Sequence, residues 1–151
     1  MEQATTRKVI AAVPVDKGSY QPAEKSMTAL DLAWHLASAE VWFFTSIVNG
    51  EFSHEESKRP DNIQTSADVL AWYDANFAPA LDKVKALSGE AASKIIDFYG
   101  ICQLPAVAYM QFNVKHTCHH RGQLSVYLRP MGAKVPSIYG GSADEPMQMP
   151  Q

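Results

Sequence analysis

LAWHLASAEVWFFTSIV, residues 32–48, is the most apolar stretch of this chain and decides how it folds. His35 and Glu40 lie inside it, so it is predicted to be a helix buried in a protein core and not a membrane span. A capping box precedes the stretch and a left-handed C-cap signal follows it: Thr28 with Asp31, and Asn49 with Gly50.

Three further segments have helical signals. They are residues 3–12, which Pro14 stops, residues 65–89, which contain Pro79, and residues 104–129. Residues 90–103 include β-branched and aromatic side chains. A single extended run cannot form a sheet, so an irregular connector is expected there. The Gly- and Pro-rich tail is expected to lie extended over the surface. Four helices without a strand pair predict an all-α four-helix bundle, one domain spanning residues 1–151.

Composition limits the classes of function. The chain has 151 residues, 46% hydrophobic and 19% charged, and a net charge of -3, which are the values of a globular domain. No basic run is present, so nucleic-acid binding is not expected, and neither is a membrane partner. Two cysteines are too few for a disulfide framework, and a cytoplasmic location is expected.

HTCHHRGQ, residues 116–123, packs three histidines into five positions of the fourth helix. His116 and His120 are four residues apart, about 40° around a helix, so both imidazoles can reach one metal ion. His119 points about 100° away from His120 and is the weaker candidate. His54 lies in an acidic loop and is expected to be solvated.

His35 is the best third ligand, because a histidine on the most apolar helix needs a partner. Three imidazoles with water in the remaining positions would form an open site, the pattern of catalytic metal centres. Two other interpretations remain. His35 could be a hydrogen-bonded core residue, and the fourth helix could simply turn a polar stripe to solvent in a metal-free bundle. That stripe includes Asn113, Gln123 and Tyr127, and the opposite face carries Val107, Val114, Cys118 and Leu128.

Several side chains are candidates to surround the histidines. Asp31, Glu40 and Gln123 are placed to orient the imidazoles, Asn113 lies on the same helix face, and Tyr127 and Tyr139 are candidates for the pocket mouth. Arg121 is expected to form a surface or interface ion pair, with a substrate carboxylate as the alternative. Cys118 is expected to be a small core residue.

The motifs LAWHLASAE (32–40), HTCHHRGQLSVYLRPMG (116–132) and VPSIYGGSADEP (135–146) together resemble the DinB/YfiT-like family of metal-dependent proteins. The resemblance spans nearly the whole chain. It implies helices in up-down-down-up order and a divalent ion, nickel or zinc, held by His35, His116 and His120 with water. Better-understood relatives are transferases and isomerases that use bacillithiol or mycothiol, whereas many members have no established reaction.

The leading hypothesis is therefore a metal-dependent enzyme of the thiol-dependent transferase or hydrolase type. It would act on a small-molecule substrate, with a low-molecular-weight thiol as a candidate partner. The nucleophile would be metal-bound water or thiol, and metal affinity should fall below roughly pH 6.5 as protons compete for the imidazoles. The alternative is a non-catalytic bundle that binds a metal or small ligand, with a role in stress. Because the first helix is short for this family, a homodimer is expected to cover the exposed end of the bundle.

Overall fold

The computed structural model describes residues 2–53 and 58–147, so His54 lies outside the described residues. The helices are α1 (Glu2–Ala11), α2 (Ala29–Asn49), α3 (Ser66–Lys85), α4 (Gly89–Ser93) and α5 (Ala106–Leu128). The strands are β1 (Ile95–Phe98) and β2 (Cys102–Pro105), and short 3-10 turns occupy Val15–Lys17 and Arg129–Met131. No described helix has the length and apolar character required to span a bilayer.

The four long helices form the expected bundle, in which α2 and α1 each pack against both α3 and α5. Aromatic pairs give the relative directions of the helices. Trp34 meets Trp72 and Phe44 meets Phe77, so α2 and α3 run parallel. Helix α5 runs antiparallel to α2, because His35 meets His120 whereas Phe43 meets Phe112.

The described residues on the two sides of 54–57 lie toward opposite ends of α2. Phe52 packs on Phe43, in the second half of α2, whereas Arg59 contacts Asp31 in the first turn of α2. At that same end, Ser66 donates to the Val13 carbonyl just after α1. Helix α1 therefore ends where α2 and α3 begin, which gives the up-down-down-up order.

Both predicted caps of α2 are present, but the capping box is incomplete, because the Asp31 carboxylate accepts from the Thr28 hydroxyl and has no recorded bond to the Thr28 backbone N–H. The Thr28 hydroxyl accepts the Asp31 backbone N–H, and Gly50 closes α2 at a φ of 73°, a conformation that favours glycine. Thr65 and Asp68 form a reciprocal capping box at the start of α3. Helix α3 ends at Lys85, four residues before the predicted stop, and continues past Pro79.

The prediction of an irregular connector at residues 90–103 is wrong. After the short helix α4, β1 and β2 pair antiparallel, with Ile96 opposite Leu104 and Phe98 opposite Cys102. Tyr99 and Gly100 both have positive φ, and the Ile101 N–H donates to the Phe98 carbonyl, so the run folds back on itself there. One β-branched run supplies both strands because this turn divides it.

The inward face of α5 also differs from the prediction. Val107 and Val114 are 58% and 46% exposed, so the expected apolar face points outward at these two positions, whereas Leu128 is buried as expected. The buried face carries Tyr109, Asn113, Thr117, Arg121, Leu124, Tyr127 and Leu128. The polar stripe is therefore turned into the bundle and not to solvent, and its hydrogen bonds must be met inside the protein.

Candidate metal centre

Three histidines from two helices meet inside the bundle. Nε2 of His35 on α2 lies 3.2 Å from Nε2 of His116 and 3.2 Å from Nε2 of His120, both on α5. The four-residue spacing places the two α5 rings on one face, with centroids 4.4 Å apart. All three rings are half-buried. No other group of three or more metal-ligating side chains occurs in residues 2–53 and 58–147.

The separations of the nitrogens match what a small divalent ion requires. Two imidazole nitrogens at about 2.0–2.1 Å from a tetrahedral zinc ion lie about 3.3 Å apart. The 3.2 Å contacts are close to this value. Without a cation or proton between them, three lone pairs at this range repel one another, so the cluster fits a divalent metal better than it fits a packed core.

Electrostatics keeps the cluster neutral in the metal-free protein. Burial, reinforced by His120, lowers the pKa of His35 to about 4. Burial and the neighbouring imidazoles lower the pKa of His116 to about 3. Burial also lowers the pKa of His120, and its bond to Gln123 only partly opposes this shift. Near neutral pH all three rings are uncharged, the form in which imidazole binds metal.

The other nitrogen of the His120 ring indicates which tautomer is present. Nδ1 of His120 lies 3.0 Å from Oε1 of Gln123, so Nδ1 carries the proton and Nε2 keeps its lone pair for the cluster. Nδ1 of His116 is buried and has no hydrogen-bond partner. The Phe43 ring packs against His116, with centroids 5.6 Å apart, and closes that side of the cluster to water.

Glu40, a candidate to orient a histidine, instead belongs to a separate buried network. Tyr73 donates to one of its carboxylate oxygens and Thr117 donates to the other at 3.0 Å. Burial raises the pKa of Glu40, and the two hydroxyl donors oppose that rise. The network ties α2, α3 and α5 together, and none of its recorded bonds reaches the histidines.

Arg121 is also buried, contrary to the prediction of a surface ion pair. Its side chain is 1% exposed and its Nη2 bonds Glu2 of α1 at 2.8 Å. The same nitrogen donates to Tyr139, whose hydroxyl donates to Glu2 at 2.6 Å. Tyr139 thus ties the tail to α1 and α5 and does not contact the three histidines. Cys118 is half-buried with Sγ 2.9 Å from the Tyr139 hydroxyl, so it is not the core residue we expected.

Three further candidates for the surroundings of the histidines make their recorded contacts with other residues. Asp31 accepts from Thr28 and Arg59 and makes no recorded contact with the His35 ring, although both line one cavity. Asn113 is buried, with Nδ2 3.5 Å from the Glu40 carbonyl. The Tyr127 ring packs on Tyr20, and its buried hydroxyl has no partner among the described residues. Of the predicted surrounding residues, only Gln123 makes a recorded hydrogen bond to the cluster.

Sequence reasoning missed the partners Tyr73, Thr117 and Glu2. The sequence contained a signal for Thr117, because Asn113, Thr117 and Arg121 recur every four residues and so lie on one helix face. Tyr73 and Glu2 come from other helices and gave no local signal. His119, the weaker candidate, is exposed and meets only the edge of His120, with centroids 4.8 Å apart.

Sequence comparison matches this chain to one protein family and to two related bacterial proteins. A model of the DinB family matches residues 1–149. The Bacillus subtilis (strain 168) protein YrdA is 27% identical over 146 residues, covering 95% of this chain and 85% of that protein. YjoA, from the same organism, is 30% identical over 130 residues, covering 84% of this chain and 82% of that protein.

Two solved structures share the fold. A DinB-like protein from Bacillus cereus ATCC 10987 has a TM-score of 0.72 at 23% identity, covering 91% of both chains. The structure of YjoA has a TM-score of 0.70 at 24% identity, covering 88% of both chains. These likenesses confirm the helical-bundle fold.

Proposed function

Because this chain belongs to the DinB family, we propose that it is a metal-dependent enzyme in which His35, His116 and His120 hold one divalent ion. The observation that carries this proposal is the convergence of three Nε2 atoms, with two contacts of 3.2 Å. Nickel and zinc are the proposed metals, since imidazole suits both.

The protein groups around the cluster have separate tasks. Gln123 holds His120 in the tautomer that presents Nε2, and Phe43 excludes water beside His116. Burial keeps His35 and His116 unprotonated at neutral pH, so protons compete little with the ion. When bound, the ion would supply Lewis acidity and lower the pKa of a coordinated water or thiol.

The proposed reaction is thiol-dependent group transfer or hydrolysis on a small molecule. Three nitrogen ligands leave at least one position of a four-coordinate ion open, as catalytic sites require. No Cys, Asp or Glu joins the cluster in the described parts of the chain, so the protein offers no nucleophile of its own there. A low-molecular-weight thiol would fill that role in transfer and water would fill it in hydrolysis.

Metal content is the primary test. Protein purified without a histidine tag is expected to contain about one divalent ion per chain by elemental analysis, and His120→Ala should lose it. The cobalt-substituted protein should change its visible spectrum when a small thiol is added. Full metal content in His120→Ala would overturn the ligand assignment, and a spectrum unaffected by thiols would remove the thiol-dependent reaction.

The second candidate is a non-catalytic bundle that binds a metal or small ligand, with a stress-related role. One observation favours it: Glu40, the buried carboxylate on α2, is engaged by Tyr73 and Thr117 and is not free to act as a base at the cluster. The two functions differ in turnover. A cobalt site that binds thiols yet supports no transfer or hydrolysis with any tested electrophile would favour this second candidate.

We also propose that the chain forms a homodimer. Helix α1 has 10 residues against 23 in α5, so it covers only part of the bundle. Val107 and Val114, exposed on α5, are apolar residues that a second copy could cover. Light scattering at micromolar concentration should give twice the chain mass of 16.6 kDa, and a monomer mass would contradict the proposal.

A further inference from the structure

A cavity of about 370 Å³ lies beside His35, in the size range of small-molecule sites. Trp34 and His35 of α2 form part of its wall, and Lys58 and Arg59, from the segment after α2, form another part. His35 therefore takes part both in the wall of this cavity and in the histidine cluster. A ligand in the cavity would contact His35, one of the three proposed metal ligands, whereas His116 and His120 do not line it.

Arg59 is held in a fixed orientation at this cavity. Its Nε donates to Asp31 at 2.8 Å, and its Nη1 donates to the Ile63 carbonyl. Asp31 is itself fixed by the Thr28 hydroxyl, which donates to it at 2.6 Å. Nη2 of Arg59 makes no recorded hydrogen bond within the described residues, so a positioned pair of N–H donors is available to a ligand.

The charges around the cavity favour a single negative charge on that ligand. Asp31 neutralises Arg59, with which it forms an ion pair. Lys58 is exposed and forms no ion pair in the part of the chain that the structure describes. Among the described residues that line the cavity, one positive charge therefore remains uncompensated, which matches a carboxylate better than a doubly charged phosphate.

We propose that this cavity binds the carboxylate of a small-molecule ligand of the histidine site, through the Lys58 ammonium and Nη2 of Arg59. The inference rests on the proposed function for the nature of the neighbouring centre. It adds the chemical class of the ligand, a small carboxylic acid, and for the thiol-dependent reaction a carboxylate-bearing thiol. Trp34 provides an apolar surface for the carbon chain of such a ligand.

Two thiols of equal size provide the first test. 3-Mercaptopropionate and 3-mercaptopropionamide differ in charge at the end remote from sulfur. Titrated into the cobalt-substituted protein and followed by the visible spectrum, the carboxylate should bind roughly tenfold more tightly, the effect of about one charge-assisted contact. In Lys58→Gln this preference should fall to about twofold or less.

Lys83→Gln is the matched control, because Lys83 lines a different groove, between α2 and α3. It should retain the full preference for the carboxylate. Because the ratio of the two affinities is compared between variants, any intrinsic difference in thiol acidity cancels in that comparison. A preference that is absent in the unaltered protein, or unchanged in Lys58→Gln, would overturn the proposal.

A second measurement does not depend on metal or thiol. Propionate added to the metal-free protein should shift the indole NMR signal of Trp34, and Lys58→Gln should weaken this binding several-fold. Absence of any shift in the unaltered protein would overturn the carboxylate site even if thiols bind cobalt. Conversely, propionate binding with a cobalt spectrum insensitive to both thiols would leave the carboxylate site standing and remove the thiol-dependent function.

Inorganic phosphate separates the two classes of anion. Phosphate is expected to compete with propionate no more strongly than acetate does, because one uncompensated cation faces the cavity. Displacement by phosphate at a concentration tenfold below that needed for acetate would overturn the assignment to carboxylates.

Discussion

Two kinds of polar cluster lie along the inward face of α5, and they differ in how their hydrogen bonds are met. Around Thr117 and Arg121, each carboxylate has hydrogen-bond donors. Glu40 accepts hydrogen bonds from Tyr73 and Thr117, and Glu2 accepts one from Arg121. Around His116 and His120, three imidazole nitrogens face one another, and any N–H among them depends on the tautomers of the rings. Both kinds are polar and at least partly buried, and they alternate along one helix.

This difference separates a structural role from a binding role. A buried network whose donors and acceptors pair off specifies how helices pack and needs nothing further. A set of lone pairs directed at one point is unfavourable until a cation is added. The two kinds should therefore respond in opposite ways to mutation: one through folding stability, the other through metal binding.

The largest expected effect is on metal affinity. His116→Ala removes a ligand and should weaken binding on the order of 1,000-fold, beyond the ~10–100-fold cost of losing an outer hydrogen-bond partner. Isothermal titration of metal into metal-free protein measures it. His119→Ala is the matched control, since that exposed ring lies beside the cluster without joining it. Equal losses in the two variants would contradict the ligand assignment.

Arg121→Ala should affect stability and leave the metal in place. It leaves Glu2 without its cation and removes a side chain that is 1% exposed, so the free energy of unfolding should fall by about 3 kcal/mol. Arg7→Ala, which breaks the exposed pair with Asp74, should cost less than ~1 kcal/mol. Urea unfolding and elemental analysis check both variants. Loss of metal in Arg121→Ala without unfolding would erase the distinction between the clusters.

Gln123→Ala and Tyr73→Phe form a matched pair with smaller effects. The first removes the acceptor that orients His120 and should weaken metal binding about tenfold. The second removes one donor to Glu40 and should reduce the free energy of unfolding by about 1–2 kcal/mol, with metal affinity unchanged. A loss of stability in Gln123→Ala together with a loss of metal affinity in Tyr73→Phe would contradict the distinction between the two clusters.

A further comparison concerns the pH dependence of stability in the metal-free protein. In the unfolded chain, His35 and His116 take up protons below about pH 6.5. In the folded protein they take up protons only near pH 4 and pH 3, respectively. Proton uptake by the unfolded state alone lowers the free energy of unfolding as pH falls from about 6.5 to 4. Glu40 acts in the opposite direction, because its pKa is raised in the folded state.

Urea unfolding between pH 7 and 4.5 measures this slope. His35→Ala combined with His116→Ala should flatten it relative to the unaltered protein, and an equally steep slope would contradict the assignment. The same lowered pKa values move the pH at which protons displace metal below the 6.5 expected from free histidine.

Local sequence rules predicted the long helices well, because caps and breakers act within a few residues. Thr28 and Gly50 set the two ends of α2 where expected. The hairpin escaped prediction because its turn depends on positive φ at Tyr99, a conformation that the residue type does not favour. The inward face of α5 escaped it because that face is polar, so hydrophobic periodicity indicated the wrong side.

For the candidate site, the sequence alone determined that His116 and His120 share a helix face and that His35 lies on the most apolar helix, since both follow from helical spacing and composition. Only the tertiary structure decided that these rings meet, that Gln123 orients one of them, and that Glu40 and Arg121 are engaged elsewhere. The physical reason is the distance along the chain over which each effect acts. Spacing along a helix is fixed by local backbone geometry, whereas contacts between α1, α2, α3 and α5 depend on how whole faces pack, which no short stretch encodes.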